Sequence, residues 1–321
     1  MPPRRLKPEL PIRRLSSTEW RARRQERREK QRTANIGRAL KMHTARLVSE
    51  LSSPEPKNPP LLNVGCSGWF YWHWRGAFYP STLPTKDWFA HYRRNFSTVE
   101  LNAPFYSWPT INTVKTWVRG IKAGSFIYTV KVCELITHVK RFRATQTLVK
   151  DFGYIADLLG PQMGCFLFQL PPSYRFTPAR LKNILAQLEP ARRNVVEFRH
   201  PSWWNAKVYA AFKKAGVIFC SCSAPKLPDK LIVTTDEVYI RFHGLTKWYR
   251  HDYPPEALTV WVERMVASGC KRVWAYFNND REAHAIKNAQ ELTKQLKLAF
   301  KRRRLEKIRS LISHPHVNRN S

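Results

Sequence analysis

Eight short apolar runs that alternate with longer helix-compatible segments predict an α/β fold of the closed parallel (β/α)8 type, the TIM barrel. The runs are rich in β-branched and aromatic residues and lie within about 230 residues of chain. They occupy 61–68, 96–102, 125–132, 164–170, 194–200, 217–223, 237–244 and 272–279. No glycine-rich phosphate-binding fingerprint follows the first run, which argues against an open dinucleotide-binding sheet.

Amphipathic segments follow nearly every run, as crossovers between parallel strands require. They occupy 86–95, 111–122, 145–159, 178–188, 206–215, 255–267 and 284–298. The connection 224–236 differs because it is short and contains Pro225 and Pro228. We therefore expect no full helix between the sixth and seventh strands.

The positive charge of the chain is concentrated outside the predicted barrel. The 321 residues include 56 Lys and Arg against 23 Asp and Glu, a formal net charge of +33. Residues 1–60 hold 16 basic and 6 acidic residues, and residues 294–321 hold 9 and 1. This imbalance indicates attraction to polyanions such as nucleic acid. We predict a basic helical extension with a Pro-rich linker at 1–60, a barrel domain at 61–296 and a basic C-terminal tail at 297–321.

The extension is predicted to be mostly one helix. Thr18 to about Ser52 lacks proline and is rich in strong helix formers, with Ser17 or Thr18 as its cap. We expect this helix to offer little apolar surface for packing. Four prolines in Ser53–Pro60 predict an extended linker. The basic residues expected to contact nucleic-acid phosphates are Arg23, Arg24, Arg27, Arg28, Arg302 and Arg303.

The sequence predicts a cytoplasmic protein. No apolar run approaches the roughly 18 to 20 residues that span a bilayer, and the N-terminus lacks the apolar core of a secretory signal. The six cysteines lie inside apolar stretches, which predicts reduced and mostly buried thiols. Acidic residues in the basic extension argue against a mitochondrial presequence.

Polar side chains recur at the carboxyl ends of the predicted strands, where barrel enzymes hold their active sites. The predicted catalytic residues are Glu100, Lys131, Glu197 and His243. The predicted substrate-binding residues are Trp69, Asn102, Tyr106, Gln169, Arg199, His200, Arg241, Asn278, Asn279 and Asp280.

A period of two in the fifth and seventh runs places charged side chains together. It puts Glu197 and Arg199 on one strand face, and Arg241 and His243 likewise on one face. Charged groups that point into a barrel need partners, so two interpretations are open. Pairs of Glu197 with Arg199 and of Glu100 with Arg241 either fill the interior or form an active site.

Seven motifs in one order carry a resemblance to a known family. They are GCSGWFYWHWRGAFYP (65–80), STVELNAPFYSWP (97–109), ITHVKR (136–141), LFQLPPS (167–173), VEFRHPSWW (196–204), YIRFHG (239–244) and YFNNDREAHAIKNA (276–289). Over about residues 62–296 the chain resembles the YecE-like family, domain of unknown function 72. The resemblance implies a TIM barrel and no particular activity, and the basic extensions lie outside it.

The second motif departs from the family pattern at one point. Many members have Asn-Thr before its Phe-Tyr pair, whereas this chain has Ala103 and Pro104. Any role of that threonine hydroxyl is therefore not carried over.

The first functional hypothesis is an enzyme, with a hydrolase as the reaction class considered, that acts on a phosphate-bearing or nucleic-acid-related substrate. In it Glu197 is the base, His243 is its acid partner, Arg199 and Arg241 hold the anion, and Asn278 orients the substrate. The second hypothesis is a non-catalytic nucleic-acid-binding protein, in which basic tails bind phosphates and the barrel is a scaffold.

The cofactor is undetermined. Glu100, Glu197, His243, Asp280 and His284 are ligand types found in metal-dependent barrel enzymes, so a divalent metal is an alternative. No metal-binding sequence motif supports it, and we assign no metal ligand.

Overall fold

The computed structural model describes residues 16–49 and 62–313, and eight parallel strands form a nearly closed barrel in this part of the chain. The strands are β1 (Leu62–Cys66), β2 (Thr98–Leu101), β3 (Ile127–Lys131), β4 (Met163–Leu170), β5 (Asn194–Phe198), β6 (Ile218–Ser223), β7 (Glu237–Phe242) and β8 (Arg272–Phe277). Their hydrogen-bonded order runs from β1 through β8, β7, β6, β5, β4 and β3 to β2. The predicted α/β barrel is confirmed.

Helices surround the strands. They are α1 (Ser17–Ser49) before the barrel, then α2 (Trp88–Asn95), α3 (Ala103–Tyr106), α4 (Ile111–Val118), α5 (Gln146–Leu159), α6 (Pro178–Gln187), α7 (Ala206–Ala215), α8 (Pro255–Ala267) and α9 (His284–Ser313). Residues 224–236 contain no helix, as their prolines predict. Helix α9 continues past the predicted domain boundary at residue 296, so that boundary falls inside an element. No helix among the described residues is both long and apolar enough to cross a membrane.

Side-chain caps explain where several helices begin. Thr110 accepts a hydrogen bond from the Thr113 amide at the start of α4 (3.1 Å). Thr177 and Asn205 cap α6 and α7 in the same way. Such caps satisfy amides that have no partner within the helix. The predicted starts of the helices after β2 lie within a few residues of the observed ones, whereas α9 ends at Ser313 and not at the predicted residue 298.

The core has two parts because the sheet is buried on both faces. Inside the barrel, apolar side chains such as Ile127, Leu167 and Val195 pack together. Outside, the other faces of the strands pack against the helices. Two-sided burial is typical of parallel sheets covered by helices. All six cysteines are buried, as predicted.

A tyrosine from α2 joins the two ends of the strand order, β1 and β2. The Tyr92 hydroxyl accepts a hydrogen bond from the Cys66 amide (2.9 Å) and donates one to the Thr98 carbonyl (3.1 Å). At position 65 a Cβ atom would lie 2.4 Å from the Thr98 carbonyl oxygen, so the close approach requires Gly65. The junction between β1 and β2, which we call the seam of the barrel, is therefore bridged by the Tyr92 side chain as well as by the close approach of the two strands at Gly65.

The cap of helix α1 is Ser16, which precedes both predicted caps. The Ser16 hydroxyl accepts a hydrogen bond from the Glu19 amide (3.2 Å), and the Ser16 amide donates to the Glu19 carboxylate (2.7 Å). This reciprocal arrangement is a capping box. Ser17 and Thr18 were therefore wrong as caps, because the capping-box partner Glu19 lies three residues after Ser16.

Helix α1 also packs against the barrel, contrary to the expectation of little packing surface. Ala39 and Met42 are buried, and α1 lies along α5. Asn35 accepts a hydrogen bond from the Trp108 amide (2.8 Å) and donates to the Tyr106 carbonyl (3.1 Å). One stripe of buried residues spaced about one helical turn apart, Asn35, Ala39 and Met42, is sufficient to pack α1 on the barrel, although most of the helix surface is basic. The predicted linker at 53–60 lies outside the described residues.

Candidate active site at the carboxyl ends of the strands

A buried arginine from β7 occupies the centre of the barrel beneath its carboxyl face. Arg241 is 1% exposed and donates to Glu100 (2.5 Å) and to Glu197 (2.7 Å). These carboxylates come from β2 and β5, on different sides of the barrel. Alternation along each strand turns all three side chains inward. We call this group of Glu100, Glu197, Arg199 and Arg241 the charged floor.

Glu100 is fully engaged in the charged floor. Besides Arg241, its carboxylate accepts hydrogen bonds from the Ser67 hydroxyl (2.7 Å) and the Tyr239 hydroxyl (2.5 Å). Sequence reasoning did not assign Ser67 or Tyr239 to the site. Both residues lie in the motifs that resemble the YecE-like family, and this position is the sequence signal that could have identified them. With three donors around it, the Glu100 carboxylate is held in one position.

Glu197 is also held as an anion. It contacts Arg241, the Nε atom of Arg199, and Nε2 of His243 at 3.3 Å. Burial by itself raises the pKa of Glu197, but Arg199 and Arg241 outweigh burial and hold the pKa well below its ordinary value. Both ion pairs predicted from the sequence are thus formed. A carboxylate this stable is a weak proton acceptor.

His243 lies beside Glu197 as a neutral imidazole. Burial, with the charges of Arg199 and Arg241, lowers the pKa of His243 well below its ordinary value. The Nη2 atom of Arg199 lies 3.1 Å from its Nε2, and Asn278 lies 3.3 Å from its Nδ1. The Arg199 guanidinium and the Asn278 Nδ2 are both donors, so each ring nitrogen of His243 faces a donor, and Nε2 also faces the Glu197 carboxylate. A neutral imidazole has no extra proton to give at neutral pH.

A cavity of about 660 Å³ opens directly above the charged floor. Of the residues selected from the sequence, those that line it are Asn102, Tyr106, Lys131, Gln169, Arg199, Arg241, Asn278 and Asp280. Its walls also include Tyr71 and Tyr249, aromatic residues that the sequence offers for stacking on a ligand, and Arg28, Phe105, Glu134, His138 and Pro172, which were not predicted as pocket residues. Phe105 and His138 occur in the family-like motifs, whereas no sequence signal pointed to Glu134.

Lys131, the last residue of β3, projects into this cavity. It is 8% exposed, and its Nζ lies 3.8 Å from the centre of the Phe105 ring. Burial lowers the pKa of Lys131 to about 7, with Arg241 contributing in the same direction. The Lys131 amine is therefore much less basic than that of an ordinary exposed lysine.

Helix α1 supplies part of the cavity wall. Arg28 lines the cavity, and its guanidinium lies 3.5 Å from the Glu134 carboxylate. Arg32, one turn later, lies 3.6 Å from the other oxygen of Glu134. Glu134 follows β3, so this contact joins α1 to the carboxyl face of the barrel. The basic extension is therefore docked at the mouth of the cavity.

The other predicted nucleic-acid contacts lie away from the cavity walls. Arg23, Arg24 and Arg27 are exposed on α1, and Arg302 is exposed on α9. The side chain of Arg303 lies outside the described residues. These positions leave the predicted polyanion surface open to solvent.

Three predicted substrate-binding residues support loops instead of lining the cavity. Trp69 packs on Phe89 with ring centres 4.8 Å apart. His200 accepts a hydrogen bond from the Ser202 amide (3.1 Å) and caps a short turn. Asn279 is buried and donates to the His251 carbonyl (2.7 Å). Position at a strand end was not sufficient to identify pocket residues, because loop contacts turn these side chains aside.

One trio of possible metal ligands exists in the described part of the chain: Glu197, Cys222 and His243, all buried. Glu197 already binds two guanidinium groups, from Arg199 and Arg241. These positive charges oppose a second cation at the same carboxylate. The residues present do not fit a divalent metal.

A second cavity of about 870 Å³ adjoins the first one. The two cavities share Tyr249 and Asp280, and the second is also lined by Trp248 and His73. Tyr249 has a φ of +66°, a left-handed conformation within the loop that follows β7. This loop places Trp248 4.5 Å from the Arg199 guanidinium, as a cover over the charged floor.

A family model with the description "Protein of unknown function DUF72" matches residues 63–310. This chain belongs to the DUF72 family. The DUF72 match covers the whole barrel and most of α9, and it excludes α1. Arg28 is thus a pocket residue supplied from outside the DUF72 match.

Two curated relatives of this DUF72 chain are similar over most of their length. The UPF0759 protein YunF of Bacillus subtilis is 24% identical over 279 residues, covering 75% of this chain and 96% of YunF. The UPF0759 protein YecE of Escherichia coli is 25% identical over 201 residues, covering 54% of this chain and 72% of YecE.

Solved structures of DUF72 proteins have the same fold. A DUF72 family protein from Thermotoga maritima has a TM-score of 0.67 and 26% identity, covering 74% of this chain and 100% of that one. A DUF72 family protein from Enterococcus faecalis has a TM-score of 0.63 and 18% identity, covering 74% and 96%. These relatives support the barrel and name no substrate.

Proposed function

We propose that this DUF72 protein is an enzyme that binds a small phosphate-bearing substrate in the cavity above the charged floor. The observation that carries the proposal is that basic side chains line this cavity while the carboxylates beneath it are paired with guanidinium groups. Arg199 and Lys131 line the cavity, while Glu100 and Glu197 are already bound by guanidinium groups. An incoming anion therefore meets the Arg199 guanidinium above paired carboxylates; of the other carboxylates that line the cavity, Glu134 is paired with Arg28 and Arg32, and Asp280 lies 3.5 Å from the His73 imidazole.

The size and lining of the cavity support a small substrate. Its volume of about 660 Å³ lies within the range of roughly 300 to 1,000 Å³ that is usual for small-molecule sites. Tyr71, Phe105 and Tyr106 supply aromatic surface, and Asn102 and Gln169 supply amide groups. This combination of aromatic walls and few polar groups is typical of sites that orient one ligand.

The ionisation of the site changes the roles that were predicted from the sequence. Glu197 is a stabilised anion and His243 is neutral, and these states do not favour hydrolysis with Glu197 as base and His243 as acid. Lys131, with a pKa of about 7, exchanges a proton readily at neutral pH. We therefore propose Lys131 as the reactive group, with Arg199 as the anion-binding group.

Phosphate binding tests this proposal. Isothermal titration calorimetry with inorganic phosphate and pyrophosphate compares the unmodified protein with Arg199→Lys, which keeps the charge but loses the planar guanidinium. We expect at least about tenfold weaker binding in this variant, since bidentate contacts are lost. Arg119→Lys, exposed at the end of α4 on the opposite rim, is the matched control. Equal affinity in all three proteins, or no binding to any, would contradict the proposal.

A second candidate function is polyanion binding on α1. Its basic outer face, with Arg23, Arg24 and Arg27, remains exposed when the helix docks on the barrel. Because Arg28 on the same helix lines the cavity, a nucleic acid bound to this face of α1 would lie next to the cavity mouth. Binding across a salt series tests this function. A cytoplasmic location is part of the same proposal, since buried cysteines outside a disulfide framework are typical of reducing compartments.

A further inference from the structure

Lys131 stands apart from an ordinary buried lysine because its neighbouring carboxylates are committed elsewhere. Glu100 and Glu197 lie close enough to influence Lys131 electrostatically, but each is bound directly by a guanidinium group. Lys131 forms no ion pair with a carboxylate of the described residues. Its amine therefore ends in the cavity without a partner that would hold it as a cation.

The other close neighbours of Lys131 supply no negative charge. The face of the Phe105 ring covers its Nζ at 3.8 Å from the ring centre, a weak attraction for a cation that does not replace a carboxylate. His138 lines the same cavity, and burial together with the charge of Lys131 lowers the pKa of His138 to about 4, so this ring is neutral at pH 7. A buried lysine beside the Arg241 and Arg199 cations, with a pKa lowered to about 7, has an available lone pair at neutral pH, which makes it a nucleophile.

Asn102 provides an independent sign that a ligand belongs here. It lines the cavity, and its Nδ2 donates to the Ser67 carbonyl (3.2 Å). Its Oδ1 is buried and has no hydrogen-bond partner among the described residues. A buried acceptor without a donor is costly, so a substrate hydroxyl that donates to it is favoured.

We infer that Lys131 captures the carbonyl carbon of a small phosphate-bearing aldehyde or ketone as an imine. This inference rests on the proposed function for the phosphate, which Arg199 binds, and it adds the second functional group of the substrate. Asn102 accepts a hydrogen bond from a hydroxyl of the same molecule. The substrate class is therefore a phosphorylated hydroxy-aldehyde or hydroxy-ketone.

The step balances without an oxidant or a reductant. The lone pair on Nζ attacks the carbonyl carbon, the π pair moves to oxygen, and oxygen takes the proton that nitrogen gives up. The resulting carbinolamine takes one proton from solvent and loses water, which leaves a protonated imine. That cation withdraws electrons from the neighbouring carbon and so activates it for proton removal or bond cleavage.

Pyridoxal 5′-phosphate, a phosphate-bearing aldehyde, is the probe. The protein is incubated with it at a series of pH values, sodium borohydride reduces any imine to a secondary amine, and peptide mass spectrometry locates the adduct. We expect Lys131 to be the principal modified lysine at pH 7, with a trapping midpoint near pH 7. A label spread over surface lysines, or a Lys131 midpoint near the ordinary lysine value of about 10.4, would overturn the inference.

Variants and competition separate this inference from the proposed function. Lys131→Met and Lys131→Arg should lose the adduct, whereas Lys207→Met, exposed on α7, should retain it. If the probe raises Tm but borohydride traps nothing on Lys131, the imine is wrong and the phosphate site stands. If Lys131 is trapped and inorganic phosphate does not compete, the imine stands and the phosphate site is wrong. The mass measurement on the unmodified protein decides even if a variant fails to fold.

Discussion

At the scale of single residues, the charged floor sets the ionisation of the cavity above it. Two guanidiniums and two carboxylates, from Arg199, Arg241, Glu100 and Glu197, share ion pairs in which opposite charges balance. Their effects on Lys131 oppose one another, so burial dominates and lowers the pKa of Lys131. The floor thereby acts as a neutral support that permits an uncharged amine.

Glu197→Gln should destabilise the protein in a pH-dependent way. The amide cannot balance Arg199 and Arg241, and removing one partner of a buried ion pair costs about 3 to 5 kcal/mol. Because the folded-state pKa of Glu197 is depressed, its contribution is present above the unfolded value of about 4.3 and is lost only as pH falls well below it. Urea unfolding at pH 7, 5 and 3 checks this. The difference from the unmodified protein should be equal at pH 7 and 5, and a difference already lost at pH 5 would contradict it.

Lys131→Met should stabilise the protein at mildly acidic pH. The folded-state pKa of Lys131 is lowered to about 7, so below pH 7 the folded state must bury a charged amine. Between that value and about 10.4 the unfolded chain binds more protons, so the stability of the unmodified protein rises with pH. We expect the variant's Tm to be higher by about 2 to 6 °C at pH 6, with the gain shrinking towards pH 10. A gain independent of pH would show that packing, and not charge, causes it.

At the scale of elements, two contacts outside the strand ladders place the site. Tyr92 from α2 bridges β1 to β2. Asn35 fastens α1 to the chain around Tyr106 and Trp108. Each contact satisfies backbone groups that have few alternatives, so each has a measurable effect on local stability.

Tyr92→Phe should open the seam of the barrel. It leaves the Cys66 amide and the Thr98 carbonyl without their shared partner, at a cost of about 1 to 3 kcal/mol. Hydrogen exchange at the Cys66 amide should become correspondingly faster. Tyr209→Phe, half-buried on α7, is the control. Unchanged exchange at Cys66 would mean that the strands alone close the seam.

Asn35→Ala should release α1 from the barrel. The Trp108 amide and the Tyr106 carbonyl lose their partner, again at about 1 to 3 kcal/mol, while the apolar contact of Met42 remains. Hydrogen exchange in residues 24–42 should accelerate by roughly tenfold or more, since 1.4 kcal/mol is a factor of ten. Ile36→Ala, on the exposed side of the same helix, should leave exchange unchanged. Equal acceleration in both variants would contradict this contact.

At the scale of the whole molecule, part of the excess positive charge lies on two long helices, α1 and α9, that pack beside the barrel. The formal net charge is +33, and exposed arginines of α1 lie on the same helix as the pocket residue Arg28. The arginines that attract an anion over a long range and the arginine that lines the cavity thus lie on the same helix.

Combined Arg23→Gln, Arg24→Gln and Arg27→Gln should weaken the salt dependence of nucleic-acid binding. Each lost phosphate contact reduces the slope of log K against log salt by about 0.9 for duplex DNA, so we expect a decrease of up to about 3. Changing Lys115, Arg119 and Lys122 to Gln removes equal charge near the opposite rim. If both triple variants lose the same slope, binding depends on net charge and not on α1.

Much of the fold was predictable from the sequence because it depends on local pattern. The eight strands, the helical crossovers and the helix-free segment 224–236 follow from periodicity and proline. The inward direction of Glu197 and Arg241 follows from alternation along a strand. Residues such as Lys131 and Asn278 were found because strand ends meet on one face of a barrel.

Contacts between residues that are distant in the chain depend on the tertiary structure alone. Arg28 reaches Glu134 across more than a hundred residues, and Arg241 joins Glu100 to Glu197 across the barrel. No local pattern encodes such pairs, because they exist only when separate elements pack. The sequence therefore determined which strands and side chains form the carboxyl face, and packing decided which of those side chains remain charged, since burial and neighbouring charges are properties of the folded chain.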